Sequence, residues 1–338
     1  RLGGIADRTP VQLNARLSRA TGSEIWLKRE DLQPVRSYKL RGAYNLMAQL
    51  SDEEKRSGVV CASAGNHGQG VAFSAAALGI KATVVVPHTT PRQKRQRILE
   101  IGHGFVDLVL HGASYDDASE EAARLAGQGK VLVPAFNDPR TAAGQATVVV
   151  EAFDQLDFVP DAVVLPVGGG GLLAGAAAWL RTTHPEVRII GVEPEGAPCV
   201  AAAISAGRPV VLHDIDTFVD GAAVKRVGDF TFEVIREARV ELTRVPEGQV
   251  CSEMLDFYQT DGIIAEPAGA LAAAALPTGG VGPRVQIPTG SRVLVLVSGG
   301  NNDVSRYAEV VERSLIHEGR TRYFLVDFPQ QPGALRMF

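Results

Sequence analysis

PVGGGGL, residues 166–172, is the most informative segment of this 338-residue sequence. It follows DAVVLP (161–166), a β-branched run typical of a buried strand, and leads into LLAGA (172–176), which opens a helix. Glycine amides at the start of a helix, together with the helix dipole, form a cradle suited to a phosphate. A tight turn without a ligand is the simpler alternative, and four consecutive glycines argue against it.

The same alternation of strand and helix extends along the chain in both directions. Short β-branched runs occur at residues 58–62, 81–87, 107–110, 130–134, 188–193 and 292–297. Helical patterns lie between them, at residues 67–78, 91–101, 114–126 and 140–156. Short buried strands separated by helices predict parallel strands with helices on both faces of a sheet. The sequence therefore predicts the α/β class.

Composition excludes several classes of protein. The chain is long enough for about two domains. Its 38 acidic and 34 basic residues give a net charge of −4, which leaves no reservoir of basic surface for nucleic acid. Cys61, Cys199 and Cys251 are odd in number and far apart, as expected in the reducing cytoplasm. We therefore expect a cytoplasmic protein that acts on a small molecule and binds no nucleic acid.

One uncharged window, residues 162–180, is long enough to suggest a membrane span. Pro166 and the four glycines interrupt this window and would leave backbone groups unpaired in lipid. We interpret the window as a strand, a turn and a helix, and we expect no membrane association.

Two further segments follow predicted strands. SAGNH (63–67) follows the run at 58–62, and SGGNN (298–302) follows the run at 292–297. Parallel sheets bind ligands beyond the carboxyl ends of their strands, so both segments are candidate binding loops. Backbone amides and polar side chains at a helix start suit a carboxylate, although an ordinary helix cap explains residues 63–67 equally well.

A dinucleotide site is the rival interpretation of the glycine segment. Gly169, Gly171 and Ala174 match the spacing GxGxxA, and Glu193 lies where an acid that binds a ribose is expected. This pattern predicts a nicotinamide-dependent dehydrogenase. Lys39, which opens a helical pattern in SYKLRGA (37–43), is by itself most simply a solvated helix lysine.

Five segments taken together resemble one family. They are KREDLQPVRSYKLRGA (28–43), SAGNHGQG (63–70), PVGGGGL (166–172), EPAGA (266–270) and SGGN (298–301). In this order they resemble the pyridoxal-phosphate enzymes of the tryptophan-synthase-like fold and, among them, the biosynthetic threonine dehydratases, also called threonine ammonia-lyases. The resemblance runs from about Arg8 to the C-terminus. It implies a fold-type-II enzyme with a large parallel-sheet domain and a smaller inserted α/β domain.

The resemblance also implies a role for each site residue. Lys39 would be the catalytic lysine that bonds to pyridoxal 5'-phosphate, and Asn66 would contact the 3-hydroxyl of this cofactor. Ser298 would contact the pyridine nitrogen. The phosphate cradle would be formed by Gly168, Gly169, Gly170, Gly171 and Leu172, and the substrate-binding loop by Ser63, Ala64, Gly65, Asn66 and His67.

The reaction that the resemblance implies is deamination of L-threonine to 2-oxobutanoate and ammonia, the first step of isoleucine biosynthesis. A serine dehydratase or a β-replacement enzyme with the same cofactor is the alternative on this scaffold. Related serine racemases carry a serine where this chain has Ala64, whose methyl group cannot exchange a proton. Glu193 and Ala197 fall where some relatives bind a cation, but Cys199 stands in place of their second carboxylate, so we expect no metal.

The same resemblance divides the chain into domains. It assigns residues 1–51 and 135–316 to the large cofactor-binding domain and residues 52–134 to a small mobile domain. Residues 317–338 would form a linker and the start of a truncated ACT-like regulatory domain, because RYFLVDFPQQPGALRMF (322–338) resembles its first strand. We expect a homodimer or homotetramer that acts on a small amino acid.

Overall fold

Two β-sheets form the framework of the protein. The computed structural model describes residues 1–278, 285–327 and 336. The strands of the larger sheet are β1 Val11–Leu13, β2 Glu24–Arg29, β7 Ala162–Pro166, β8 Arg188–Pro194, β9 Glu241–Val245 and β10 Arg292–Val297. They lie in the order β1-β2-β10-β7-β8-β9, and the pairing of β1 with β2 is antiparallel while the other pairings are parallel.

The smaller sheet is parallel throughout. Its strands are β3 Val59–Ala62, β4 Ala82–Val86, β5 Val106–Leu110 and β6 Val131–Leu132, in the order β5-β4-β3-β6. The core beside this sheet also contains Ala43, Leu46 and Met47, which precede the predicted small domain. The two sheets with their helices confirm the predicted α/β class. The boundaries at residues 52 and 134 remain a prediction.

Helices cover both sheets. In the described part, the α-helices are α1 Ala15–Thr21, α2 Lys39–Met47, α3 Asp52–Ser57, α4 Asn66–Leu78, α5 Arg92–Ile101, α6 Tyr115–Gly127, α7 Pro139–Gln155, α8 Gly171–Thr183, α9 Cys199–Ala206, α10 Asp229–Ala238, α11 Glu247–Asp256, α12 Pro267–Ala274 and α13 Tyr307–His317. Local caps define several of their ends. Ser114 and Asp117 form a capping box at the start of α6, and Asp138 accepts a hydrogen bond from the amide of Arg140 at 2.7 Å in α7.

The larger sheet is buried on both of its faces. Alternate residues of β7 point to opposite sides, so that Val164 packs with α11 and α12 while Val163 packs with α7 and α8. This double burial explains why the strand reads as a continuous apolar run. The carboxyl end of β7 then emerges from the core directly at the glycine segment, and β10 does the same at Ser298.

Within residues 1–278 and 285–327, no helix combines the length and the apolar character that a membrane span needs. Residues 321–327 form neither helix nor strand. Beyond them, the predicted ACT-like segment lies outside the described residues apart from Arg336.

Candidate active site

A cavity of about 1120 Å³ lies where the carboxyl ends of β3, β7 and β10 meet. The twelve residues that the sequence analysis selected all line it. They are Lys39, Ser63, Ala64, Gly65, Asn66, His67, Gly168, Gly169, Gly170, Gly171, Leu172 and Ser298. The tertiary structure therefore brings four segments that are distant in sequence to one place, and three of them follow the carboxyl ends of parallel strands, as the rule for parallel sheets predicts.

The glycine turn, residues 168–171, connects β7 to α8. Gly170 caps the helix with φ +89°, a left-handed conformation that favours glycine. The carbonyls of Gly168 and Gly169 face away from the cavity toward other partners, the thiol of Cys199 at 3.4 Å and the hydroxyl of Thr231 at 2.8 Å. The first amides of α8 have no acceptor within the helix and are left for a ligand.

Close packing explains why this turn contains only glycine. A Cβ atom on any of the four glycines would lie 3.0 Å or less from a neighbouring atom. At Gly169 the neighbour is the ring of Phe136 at 2.4 Å, and at Gly171 it is the backbone of the same residue at 2.9 Å. The turn therefore accommodates only residues without a side chain, and it presents backbone amides to the cavity.

Lys39 is the first residue of α2 and is half-buried. Its Nζ lies 5.3 Å from the centre of the Tyr38 ring. Among the described residues, no carboxylate oxygen lies within 4.0 Å of this amine. Two other cations of the same motif are structural, because Lys28 donates to Glu151 at 2.5 Å and Arg41 donates to Glu30 at 2.8 Å. Lys39 is thus the amine of the motif that faces the cavity without an ion pair.

Side chains of the turn after β3, residues 63–67, form the hydrogen bonds that hold this turn in place. The hydroxyl of Ser63 accepts a hydrogen bond from the amide of Gly65 at 3.2 Å. The imidazole of His67 is 4% exposed, and its Nε2 contacts the carbonyl of Val133 at 2.8 Å. Burial, with a smaller contribution from the charge of Lys39, lowers the pKa of His67 to about 4, so the ring is neutral and Nε2 carries the proton.

Ser298 and Glu266 complete the polar lining. Ser298 is 3% exposed, and its hydroxyl donates to the carbonyl of Ala268 at 3.0 Å, so contact with a pyridine nitrogen requires the hydroxyl to turn. Glu266 accepts a hydrogen bond from Asn66 at 2.5 Å. Burial, together with the charge of Asp220, raises the pKa of Glu266 to about 7. Sequence analysis gave Glu266 no role, although EPAGA (266–270) had identified its segment.

The dinucleotide interpretation fails at Glu193. This carboxylate is fully buried, and its two oxygens accept hydrogen bonds from the amides of Val200 and Ala201 at 2.7 and 2.9 Å. Glu193 therefore caps α9 and does not line the cavity, where it would have to bind a ribose. Within the described residues, no group of three or more histidines, cysteines or acids is arranged to hold a metal ion.

A family model confirms the resemblance. The model for pyridoxal-phosphate dependent enzymes matches residues 4–299, which include the glycine turn, Lys39, the segment 63–67 and Ser298. The chain belongs to the pyridoxal-phosphate dependent enzyme family. Its cofactor is therefore pyridoxal phosphate, and the nicotinamide-dependent alternative is wrong.

Named relatives within this family are similar over nearly the whole chain. The protein called L-threonine dehydratase biosynthetic IlvA from Mycobacterium tuberculosis is 54% identical over 341 residues, which cover 100% of this chain and 78% of that protein. The structure of the processed form of threonine deaminase isoform 2 from Solanum lycopersicum matches with a TM-score of 0.86 at 36% identity, covering 93% of this chain and 90% of that one. Maize serine racemase matches with a TM-score of 0.83 at 29% identity, covering 94% and 96%.

The residues that line the cavity fit this cofactor. The glycine turn offers backbone amides to a phosphate, and close packing leaves no room for a side chain on any of its four residues. Lys39 supplies an amine that no carboxylate of the described residues holds, and Asn66 and Ser298 supply polar atoms for the ring. The donor set of the cavity thus matches the three chemically distinct parts of pyridoxal phosphate.

Proposed function

We propose that this chain is a threonine ammonia-lyase, which converts L-threonine to 2-oxobutanoate and ammonia in the first step of isoleucine biosynthesis. The observation that carries the proposal is the position of the Lys39 amine in a cavity formed by the glycine turn and the start of α4. The names of the relatives from M. tuberculosis and S. lycopersicum support the choice of threonine as the substrate.

Each group of residues has a separate task in this proposal. When bound, pyridoxal phosphate withdraws electrons from the α-carbon of an amino acid that is joined to it. The glycine turn would hold the phosphate, and Lys39 would bond to the cofactor until the amino group of the substrate takes its place. The free Lys39 amine would then remove the proton from the α-carbon.

The start of α4 orients the substrate. The amides of its first turn have no intrahelical acceptor and carry the positive end of the helix dipole, so they suit the carboxylate of an amino acid. Ala64 lies in the same turn and lines the cavity with a methyl group. Since a methyl group can neither accept nor donate a proton, this turn offers no acid or base at residue 64, and elimination is favoured over racemisation.

A single substitution tests the assignment of Lys39. Lys39→Ala should reduce the formation of 2-oxobutanoate from L-threonine at least about 1,000-fold, because it removes both the bond to the cofactor and the base. The matched control is Lys81→Ala, because Lys81 is exposed, donates to the carbonyl of Gly104 at 3.0 Å and does not line the cavity. A Lys39→Ala enzyme with the wild-type rate would refute the proposal.

The substrate is tested separately with the wild-type enzyme. We expect a higher kcat/KM for L-threonine than for L-serine. The reverse order would identify a serine dehydratase, and formation of a thioether amino acid from L-serine and an added thiol would identify a β-replacement enzyme. Appearance of D-serine would show that another group supplies a proton on the far side of the substrate.

We also propose that the enzyme is a cytoplasmic homodimer or homotetramer and that residues 52–134 move as a small domain. The three cysteines are buried and unpaired, which suits a reducing compartment. Residues 59–132 contain a sheet of their own, which supports a separate unit. Light scattering on the purified enzyme measures the mass of the assembly, and a monomer would contradict the first part.

A further inference from the structure

Asn66 lies in the middle of a chain of hydrogen bonds at the edge of the cavity. Asn301 Nδ2 donates to the carbonyl of Val35 at 2.8 Å and to Asn66 Oδ1 at 2.7 Å. Asn66 Nδ2 in turn donates to Glu266 Oε1 at 2.5 Å. These hydrogen bonds thus join the backbone at Val35, inside the motif that contains Lys39, to the residue that precedes α12.

The direction of these hydrogen bonds is determined from both ends. A backbone carbonyl only accepts, so Val35 requires the amide nitrogen of Asn301. That nitrogen only donates, so the atom of Asn66 that it meets must be the oxygen. At the other end, Glu266 is ionised at a pH above its pKa of about 7, and the carboxylate then only accepts and requires the nitrogen of Asn66. Both ends select the same orientation of the Asn66 amide.

One donor of Asn66 remains after these contacts. Its Nδ2 carries two hydrogens, one of which is used by Glu266, and no acceptor for the other occurs among the described residues. We propose that Glu266 and Asn301 are positioning residues that hold Asn66 as a hydrogen-bond donor for the ring hydroxyl oxygen of pyridoxal phosphate. This inference rests on the proposed site, in which Asn66 contacts that oxygen. A donor favours the deprotonated oxygen, whereas an acceptor would oppose it.

Asn301→Asp is an isosteric change that should reverse the direction of the hydrogen bonds through Asn66. Aspartate at this position has no hydrogen to donate, so Asn66 must turn its nitrogen toward residue 301 and its oxygen toward Glu266 and the ring. At pH 8 the absorbance spectrum of the cofactor-bound variant should show about a tenfold larger ratio of protonated to deprotonated ring oxygen. The Kd for pyridoxal phosphate should rise about tenfold or more, measured without substrate.

Asn302→Asp is the matched control. Asn302 Nδ2 donates to a backbone carbonyl, that of Ala265, at 3.1 Å, but Asn302 has no hydrogen bond to Asn66. The control therefore adds the same charge one residue away and loses the same kind of bond to the backbone. Asn302 also lines the cavity, so any spectral change at pH 8 in this control measures the effect of the added charge alone, and it should be clearly smaller than that of Asn301→Asp. Equal spectral changes in Asn301→Asp and Asn302→Asp would overturn the inference.

A double variant separates positioning from stability. In Asn301→Asp combined with Glu266→Gln, the glutamine nitrogen can donate to the turned oxygen of Asn66, so the reversed orientation regains a hydrogen bond. Its Tm should exceed that of Asn301→Asp alone while the altered spectrum persists. A spectrum that recovers together with the Tm would mean that the two residues have only a structural role, and would refute the proposal.

Glu266→Gln alone provides a second, milder variant. The glutamine oxygen can still accept from Asn66, so this variant should keep the wild-type spectrum even if Asn301→Asp fails to fold. A spectral change in Glu266→Gln as large as the change expected for Asn301→Asp would contradict the inference. The proposed function is judged independently, since a wild-type enzyme that binds the cofactor but forms no 2-oxobutanoate would refute only the choice of substrate.

Discussion

Two strand-to-helix turns border the cavity, and they are built in different ways. The turn after β7 presents only backbone, because a Cβ on any of its four glycines would lie 3.0 Å or less from a neighbour. The turn after β3 presents side chains: Ser63, Asn66 and His67 all form hydrogen bonds. At Gly65 in this second turn, a Cβ would have no neighbour within 4 Å among the residues that the structure describes.

The difference shows two ways of specifying a binding surface. In the glycine turn, close packing excludes every residue type that has a side chain, so only glycine fits. The turn at residues 63–67 is specified by partners, since Val133 and Glu266 hold His67 and Asn66 in place. The first kind of surface should fail when volume is added, and the second when polarity is changed.

Gly169→Ala should have the largest effect. The new methyl group would meet the Phe136 ring at 2.4 Å, which should destabilise the fold by about 3 kcal/mol and weaken cofactor binding. Chemical denaturation and titration with pyridoxal phosphate measure the two effects. The control is Gly127→Ala at the exposed end of α6, where nothing lies within 4 Å. Wild-type stability in Gly169→Ala would show that the packing is not the constraint.

His67→Gln should change how stability depends on pH. The folded protein holds the pKa of His67 at about 4, below its ordinary value of 6.5, so the unfolded chain binds more protons between these values. The stability that the neutral ring provides is therefore present above pH 6.5 and is lost as the pH falls, by about 2 kcal/mol at pH 5.

The comparison of wild type with His67→Gln isolates this effect. Other buried groups contribute equally to both proteins, so the difference in free energy of unfolding should move in favour of the variant as the pH falls from 7 to 5. Glutamine can still donate to the Val133 carbonyl, which preserves the contact. A difference that does not vary with pH would show that His67 is not held neutral.

Gly65→Ala should have a smaller effect on stability than Gly169→Ala, below about 1 kcal/mol, because its Cβ position is open. The methyl group would enter the cavity beside the proposed carboxylate site, so the KM for L-threonine should rise while the Kd for the cofactor changes little. Calorimetry and initial rates test the two parts. Destabilisation as large as that of Gly169→Ala would remove the distinction between the turns.

The ion pair between Asp116 and Lys225 should have the smallest effect. It joins α6, beside the smaller sheet, to the segment that precedes α10, at 2.7 Å, and both side chains are about half exposed. Exposed pairs contribute about 0.2–1 kcal/mol. A double-mutant cycle with Asp116→Asn and Lys225→Gln should give a coupling energy in this range that decreases with added salt. A much larger coupling would mean that ion pairs, rather than the two turns, hold the cavity together.

Local signals in the sequence were sufficient for much of the fold. The helices α4, α5, α6 and α7 were predicted to within one residue at each end, because caps such as Ser114 and Asp138 act on amides only a few residues away. The glycine turn was equally visible, since four consecutive glycines between a strand and a helix indicate a backbone that must stay free of side chains.

The strands β1, β2 and β9 were missed. The first, VQL, has only three residues, and the other two, EIWLKR and ELTRV, contain charged residues. Lys28 in β2 is nevertheless 1% exposed, because Glu151, 123 residues further along the chain, accepts its hydrogen bond at 2.5 Å. Whether a charged residue can be buried depends on such a partner, and no local pattern reveals one.

Dependence on distant partners also distinguishes the site residues that short motifs identify from those whose orientation only the fold determines. The glycines and Lys39 can be identified from short motifs, and these motifs also carry the resemblance to the family. The orientation of Asn66 depends instead on Glu266 and Asn301, which lie 200 and 235 residues away in the chain. A hydrogen bond requires its partners to be within about 3 Å and in the correct direction. Folding alone brings such residues together, so their role emerges from the three-dimensional arrangement.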